Sequence, residues 1–503
     1  MKKPQTNIIR FVFAACGYAG FEVVARLAQF GVLFYLARII TKSEYGQLGF
    51  FFSMQQVIML FALGGLTEAV TGVFNIYRTN NQLPILSHSL KSLMLCISFA
   101  LAAVYLAVLF LFVKSTLTTS ALVTYLAVLT SGILLARINM TAMLFQLGEK
   151  HHHSIMIKTA PLILGYLMGF LSVLYISENR NMWFFVFVAI GFGSAFFFGK
   201  IVRSSNDVSS WIVDYQLIKT LMKTAAPFLI TGLLAWLSGY GNIVFVKYYF
   251  SNEAVAEFTM VCNFNFILFL LINSINQVWA PHFFKLAVKI SDNHLNDLNS
   301  FVNQIQVIAI SLIAGIILLY FPFLMKAVGG NFVYYTSIHP FLLITFSAYI
   351  VLNMYYRSSP YYLLHQEGGM FLRVILLTSF VGTAAWLLLM KYIGTWGIYI
   401  GFYVLHFLRS VSLFWCSRKW KVRMFWMDLV LAQAILGAGY FISLNTPNVV
   451  VATMSFGLLV SALIFVFLFF IRDSFKENMR LLSMEWDVAD IGLCPLDERI
   501  EKP

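Results

Sequence analysis

The sequence predicts an all-α polytopic membrane protein with about fourteen transmembrane helices. Of its 503 residues, 60% are hydrophobic and only 11% are charged, and the mean hydropathy is +0.81. Apolar stretches of about 20 residues, the length that crosses a bilayer, recur along the chain. This composition excludes a soluble globule. The net charge of +13 is not gathered in a compact basic domain, so nucleic acid is not an expected partner.

Hydropathy places the fourteen spans in order along the chain. They cover approximately 12–37, 46–73, 92–113, 121–146, 155–176, 183–201, 225–246, 256–279, 303–325, 341–364, 374–390, 396–415, 427–444 and 449–471. With the N-terminus in the cytoplasm, about 23 Lys and Arg residues lie on the inner side and about seven on the outer side. The positive-inside rule therefore predicts that both termini are cytoplasmic and that the membrane is the cytoplasmic (inner) membrane.

The first twelve spans look like two distant copies of a six-span block. Arg38 and Glu44 after span one match Lys247 and Glu253 after span seven, and Asn139 in span four matches Asn353 in span ten. These offsets stay at about 209–215 residues, which indicates a duplication. An even number of spans per copy predicts two lobes related by a pseudo-two-fold axis along the membrane normal. The predicted domains are an N-terminal six-helix lobe (1–202), a cytoplasmic amphipathic linker (203–224), a C-terminal six-helix lobe (225–416), spans thirteen and fourteen (417–471) and a cytoplasmic tail (472–503).

Motifs of nucleotide hydrolysis and of covalent catalysis do not occur in the sequence. There is no Gly-rich phosphate-binding loop followed by Lys and Ser or Thr, and no nucleophile motif, so the sequence predicts a transporter without a cofactor. His151, His152 and His153 are consecutive and point in different directions, so we expect no metal site there.

Span one carries a polar stripe. Tyr18, Glu22, Arg26 and Gln29 fall at helical spacing on one face. Glu22 and Arg26 are four residues apart and can neutralise each other, so a structural ion pair is one interpretation. The other interpretation is that the stripe lines a central cavity. Glu22, together with Glu68, is then a candidate for ion coupling.

Three further arginines, Arg137, Arg357 and Arg409, lie inside spans four, ten and twelve. A cation at bilayer depth costs about 2.5–3.5 kcal/mol on insertion scales, so such a residue usually faces a protein interior or a wet cavity. The planar guanidinium donates two parallel hydrogen bonds to a phosphate. We therefore predict that these arginines and Arg26 form a cationic cavity for an anionic substrate, with a purely structural role as the alternative.

Amide and aromatic side chains accompany the arginines. Asn265 and Asn273 in span eight, and Tyr349 and Asn353 in span ten, could line the cavity together with Tyr18 and Gln29. Ordinary hydrogen bonding between membrane helices is the alternative for each of them.

Short motifs resemble those of a known family. The stretch Leu36 to Gly49, which reads LARIITKSEYGQLG, looks like the first hairpin of Wzx-type polysaccharide flippases, and Leu63-Gly64-Gly65-Leu66 is similar to the end of the family's second helix. Pro227, which opens span seven, and Ala280-Pro281, which closes span eight, fit the same pattern. The resemblance implies the superfamily that also contains multidrug exporters and the lipid II flippase. It also implies two six-helix lobes around a cavity that opens alternately to each side. Fourteen spans rather than twelve is a departure shared with some relatives.

The function expected from this resemblance is movement of a polyprenyl-diphosphate-linked oligosaccharide across the membrane. The product would serve cell-surface polysaccharide synthesis, as O-antigen, capsule or exopolysaccharide. Expected partners are the lipid-linked substrate, membrane lipids, a polysaccharide polymerase and a chain-length regulator. One alternative is an ion-coupled small-molecule or multidrug exporter. A membrane-embedded glycan polymerase or ligase is the other, and the lack of a large outer loop disfavours it.

Overall fold

The structure is a computed structural model that describes residues 29–112, 118–148, 151–203, 213–239, 241–287, 290–365, 367–420, 422 and 426–465. These residues form almost only helices, and they contain no strand. The helices are α1 (Gln29–Ile39), α2 (Lys42–Leu63), α3 (Leu66–Thr79), α4 (Leu83–Phe112), α5 (Thr119–Leu147), α6 (His151–Tyr175), α7 (Arg180–Arg203), α8 (Tyr215–Ser238), α9 (Asn242–Tyr249), α10 (Asn252–Ala287), α11 (Asp292–Val328), α12 (His339–Leu364), α13 (Gly368–Ile393), α14 (Thr395–Ser417), α15 (Trp426–Asn445) and α16 (Val449–Phe465). A 3-10 helix (Gly330–Ile338) joins α11 to α12.

Eleven helical segments among the described residues are long and apolar enough to cross a membrane. The apolar helices α1 and α16 lie where the first and fourteenth spans are predicted, and α7 lies where the sixth is predicted. The all-α polytopic fold with about fourteen spans is therefore confirmed.

The second predicted span is divided into α2 and α3. A capping box begins α2: Glu44 N donates to the Thr41 hydroxyl at 3.3 Å, and Thr41 N donates to the Glu44 carboxylate at 2.8 Å. The helix ends at Gly64, whose φ of +56° is followed by a φ of +74° at Gly65. Two successive left-handed residues interrupt the helical hydrogen bonds, and glycine adopts this conformation without a Cβ clash.

Several helices begin earlier than hydropathy predicts. Asp214 accepts from the backbone N–H of Gln216 at 2.8 Å and of Leu217 at 3.1 Å, which starts α8 at Tyr215. Part of the predicted amphipathic linker is thus the first turns of the helix of span seven. Helices α10 and α11 also begin before their apolar windows.

We call α1–α7 the N-terminal bundle and α8–α14 the C-terminal bundle; α8 contacts α2, α3 and α4 as well as α13 and α14, and α2 also contacts α9 and α10. Helices α15 and α16 pack against α11 around a buried apolar cluster that includes Leu319, Ile435 and Phe456. The two-fold relation between the bundles stays a prediction.

Candidate functional site

A small cavity lies between the two bundles. Helices α1 and α2 form its N-terminal wall, and α9 and α10 form its C-terminal wall. Its lining residues are Gln29, Leu33, Tyr45, Leu48, Gly49, Phe52, Gln56, Ile243, Thr259 and Asn263. We call it the interbundle cavity.

Hydrogen bonds fix the polar side chains of the interbundle cavity. Gln29 Nε2 donates to the Tyr166 hydroxyl at 3.0 Å, which holds α1 against α6. Asn263 Nδ2 donates to the Tyr45 hydroxyl at 2.9 Å, which joins α10 to α2 across the bundle boundary. Five of the ten described lining residues are polar, the other five are apolar residues or glycine, and none carries a charge. Amides and hydroxyls both donate and accept hydrogen bonds, so these walls suit a ligand rich in hydroxyl groups.

An ion pair closes the cavity at the end where α2 begins, which is the predicted outer end. Lys42 Nζ lies 2.5 Å from Glu257 Oε1 on α10. Glu257 also accepts from the Ser337 hydroxyl at 3.1 Å, and the Lys42 ammonium lies 5.7 Å from the ring centroid of Tyr335. The two charged side chains are 23% and 17% exposed, so solvent weakens the pair without removing it. We call these four residues the outer latch.

Small residues let the backbones approach closely beside the outer latch. A Cβ at Gly46 would lie 1.9 Å from the carbonyl oxygen of Asn252, and one at Gly49 would lie 2.1 Å from the Thr259 hydroxyl oxygen. Asn252 Nδ2 donates to the Ser43 hydroxyl at 3.2 Å. Close helix contact of this kind depends on glycine at the interface.

The opposite end of α2 also contacts the C-terminal bundle. A Cβ at Gly65 would lie 2.4 Å from the carbonyl oxygen of Ala225, and one at Gly232 would lie 2.7 Å from Leu60 Cδ1. Trp236 Nε1 donates to the Ser53 carbonyl at 3.3 Å. In this conformation the bundles therefore meet on both sides of the interbundle cavity.

Sequence-predicted site residues fall at several places. Tyr18, Glu22 and Arg26 lie outside the described residues. Gln29 lies in the interbundle cavity, as stated above. Glu68 is exposed in the first turn of α3 and accepts from the Thr67 hydroxyl at 2.6 Å.

Arg137 is half-buried on α5. Among the described residues, no carboxylate or other acceptor pairs with its guanidinium. It does not belong to the described lining of the interbundle cavity, and its role in substrate binding stays a prediction.

Arg357 and Arg409 are buried inside the C-terminal bundle. Arg357 is 5% exposed, donates to the Ser300 hydroxyl on α11, and has Nη1 4.0 Å from Asp428 Oδ2 on α15. Arg409 is 9% exposed and donates to the Ser379 hydroxyl on α13 at 2.7 Å. Neither belongs to the described lining of the interbundle cavity. Substrate binding by these two arginines stays a prediction, and it would require a conformation that exposes them.

The four predicted polar lining residues also lie within the C-terminal bundle. Asn265 is 1% exposed, and neither of its amide atoms has a hydrogen-bond partner in the described part of the chain. Asn273 accepts from the Tyr356 hydroxyl at 3.2 Å. Tyr349 packs beside His406, with ring centroids 5.9 Å apart. Asn353 is 2% exposed and faces a second cavity, which it shares with Arg357 and Asp428.

Sequence reasoning missed Asp428 and the outer latch. Asp428 is the one acidic residue between Glu367 and Asp473, which was a usable signal. The contact between Lys42 and Glu257 could not be predicted from the sequence, because residues so far apart in the chain have no local spacing that indicates a contact.

The helices define a polytopic helical membrane protein. The model of a family described as "Polysaccharide biosynthesis protein" matches residues 18–287, more than half of the chain. The chain belongs to this family.

Solved structures share the fold at low sequence identity. The lipid II flippase MurJ in its inward closed conformation matches with a TM-score of 0.68 and 12% identity, over 91% of this chain and 99% of that chain. A mutant of the Vibrio cholerae MATE transporter VcmN matches with a TM-score of 0.52 and 14% identity, over 81% and 94%. The eukaryotic MATE transporter AtDTX14 matches with a TM-score of 0.53 and 13% identity, over 85% and 96%. Comparison with curated protein sequences gives no match.

Proposed function

We propose that this protein is a flippase that moves a polyprenyl-diphosphate-linked oligosaccharide across the cytoplasmic membrane for cell-surface polysaccharide synthesis. It would work by alternating access and would not be an enzyme. The observation that carries the proposal is the polar interbundle cavity, bounded at one end by the outer latch and at the other by the contact of Gly65 with α8. Alternating access needs two such barriers, each able to open while the other is closed.

The size of the interbundle cavity fits a closed intermediate of this cycle. Sites for small molecules occupy about 300–1,000 Å3, whereas the free space in the interbundle cavity is enough for about one water molecule. An oligosaccharide with its diphosphate is larger than this, so the bundles must separate at one end to admit it. The glycan would meet amides and hydroxyls, and the lipid tail would remain in the bilayer.

Arginine supplies the charge that the diphosphate needs. Arg137 has a guanidinium without a protein partner in the described part of the chain. Arg26 lies three residues before Gln29, so helical spacing places both on one face of span one. We propose these two arginines as the first contacts of the diphosphate, with Arg357 and Arg409 reached only after rearrangement. Both termini would be cytoplasmic, and a polymerase with its chain-length regulator would take the delivered substrate.

Reconstitution with a closable outer end tests the proposal. The five native cysteines are first replaced by serine, and then Ser43→Cys and Asn252→Cys are introduced, since these side chains are in hydrogen-bond contact. Proteoliposomes containing a fluorescent lipid-linked oligosaccharide should move it to the opposite leaflet. A short thiol cross-linker that can be cleaved by reductant should stop this movement, and reductant should restore it. The Ser43→Cys single variant is the matched control and should be insensitive.

The alternatives give different results in the same preparation. An exporter would move a small amphiphilic drug but no lipid-linked oligosaccharide, and a polymerase or ligase would join glycans. If the cross-linked protein moves the oligosaccharide at the full rate, the alternating-access proposal is wrong.

A further inference from the structure

Asp428 is a buried carboxylate in the first turn of α15, at the predicted inner end of span thirteen. Asp428 is 2% exposed. Its Oδ1 accepts from the Leu429 backbone N–H at 3.0 Å, and its Oδ2 lies 4.0 Å from Arg357 Nη1, which is beyond hydrogen-bond distance. Acidic residues inside membrane spans are costly to insert, and they usually mark an ion or proton pathway.

Two amide oxygens beside Asp428 have no donor in the described part of the chain. Asn303 Nδ2 donates to the Asn299 carbonyl at 2.7 Å, and Asn353 Nδ2 donates to the Tyr349 carbonyl at 3.1 Å. These bonds determine the orientation of each amide and leave both Oδ1 atoms buried and unbonded. The two residues are 3% and 2% exposed. A buried acceptor without a donor is unfavourable, so this arrangement calls for a donor or a cation.

The carboxylate and the two amides share one cavity. Its lining consists of Asn303, Val307, Asn353, Met354, Arg357, Phe414, Asp428 and Leu429. Side chains with oxygen atoms on α11, α12 and α15 therefore line one cavity, together with apolar side chains and Arg357. Hard oxygen ligands suit alkali cations and protons, and a single carboxylate matches a single positive charge.

We propose that Asp428, Asn303 and Asn353 form a binding site for a small monovalent cation, either Na⁺ or a proton carried on Asp428. A bound Na⁺ would be ligated by the carboxylate and the two amide oxygens. In the other case, the protonated carboxyl of Asp428 would donate a hydrogen bond to one of these amide oxygens. The site deepens the proposed function because it supplies a place for ion coupling, but its occupancy does not depend on which substrate is moved.

Arg357 would compete with the cation for the carboxylate of Asp428. It is the charged group on α12 that faces Asp428, and the hydroxyl of Ser300 on α11 offers it a second partner. With the site empty, Arg357 balances the carboxylate. With a cation bound, the attraction between Arg357 and Asp428 would fall, so the link between α12 and α15 would weaken. Tyr361, also on α12, acts electrostatically on Arg357, and Asp292 and Asp297 on α11 act on Tyr361.

The test is cation binding to the purified full-length protein in nanodiscs without substrate. Radioactive Na⁺ should bind saturably, and Asp428→Asn should abolish the binding. Asp214→Asn removes one charge elsewhere, and asparagine also serves as an N-cap, so this matched control should bind normally. Asn353→Leu keeps the carboxylate and its arginine but removes one oxygen ligand, so the affinity should fall at least about tenfold.

Infrared spectroscopy of the same samples distinguishes a proton on Asp428 from bound Na⁺. If no Na⁺ binds, a protonated-carboxyl band that titrates with pH and is missing in Asp428→Asn supports the proton. Should Asp428→Asn fail to fold, Asn353→Leu still decides by its Na⁺ affinity or by a shift of the carboxyl band. The site would be overturned if both saturable Na⁺ binding and a titrating carboxyl band were absent. It would also be overturned if Na⁺ binding were unchanged in Asp428→Asn. Failure of oligosaccharide transport with cation binding intact would count against the proposed function alone.

Discussion

The arginines inside the predicted spans are of two kinds, which differ in the protein partners of their guanidinium groups. Arg137 is half-buried without a partner among the described residues, whereas Arg357 and Arg409 are buried and donate to hydroxyls of neighbouring helices. An unpaired guanidinium keeps its full capacity to bind a phosphate, and a paired one must first lose a protein contact. The two kinds should therefore respond differently to truncation.

Replacing Arg137 should affect transport more than stability. We expect Arg137→Ala to abolish export of the lipid-linked glycan at normal protein abundance, and Arg137→Lys to restore it only in part, because lysine lacks the planar fork. Transport per folded molecule in proteoliposomes measures this. Full activity of Arg137→Ala would remove this residue from the substrate path.

Replacing Arg357 should affect stability first. Removal of one partner from a buried ion pair usually costs about 3–5 kcal/mol, because the remaining charge stays buried. Arg357→Ala should therefore lower the thermal midpoint strongly, and the double variant Arg357→Ala, Asp428→Ala should recover much of the loss. Thermal unfolding in detergent, followed by near-UV circular dichroism, compares the two. Equal midpoints for Arg357→Ala and the parent would mean that the pair is not structural.

Helices illustrate what the sequence can and cannot predict. Span positions follow from hydropathy because each bilayer crossing must satisfy its backbone internally, and the eleven membrane-length helices of the described residues, with the shorter apolar α1 and α16, lie at predicted spans. Helix starts were missed where capping decides them, as Asp214 does for α8. The partners of Arg357 were missed because Ser300 and Asp428 lie on other helices, far away in the chain. Helix α11 was also predicted to begin too late, because Asn296 and Asn299 lie in its first turns, before its apolar window.

Helix contact at Gly46 should control the outer end. A Cβ there would lie 1.9 Å from a backbone oxygen of α10, so Gly46→Ala must push α2 away from α10. We expect a Ser43→Cys thiol to react faster with a membrane-impermeant maleimide in the Gly46→Ala background. Gly437→Ala on α15 is the matched control, since a Cβ at Gly437 meets nothing within 4 Å. Unchanged thiol reactivity in Gly46→Ala would show that this contact does not limit opening.

At the scale of the whole molecule, the orientation in the membrane sets which bundle contact is the outer one. The excess of Lys and Arg in the predicted inner loops favours cytoplasmic termini. Reporter fusions after Lys114 and after Asn445 should therefore report the outer side, and fusions after Asn206 and at the C-terminus the inner side. An outer signal from the C-terminal fusion would be incompatible with an even number of spans and a cytoplasmic N-terminus.

The outer latch should bias the equilibrium between conformations without determining it. A partly exposed ion pair is worth up to about 1 kcal/mol, which corresponds to a factor of about five in a population ratio. Glu257→Gln should therefore increase the outward-open population by up to about fivefold. The charge swap Lys42→Glu, Glu257→Lys should reverse most of this change, because attraction is restored between the same positions. Spin labels on the outer ends of α2 and α10 measure the two populations by their distance distribution. Glu367→Gln is the matched control: it breaks the ion pair with Lys419, which joins residues of the C-terminal bundle only, so the population ratio should not change. A charge swap that behaves like Glu257→Gln would mean that Ser337 and the ring of Tyr335, rather than the ion pair, hold this end closed.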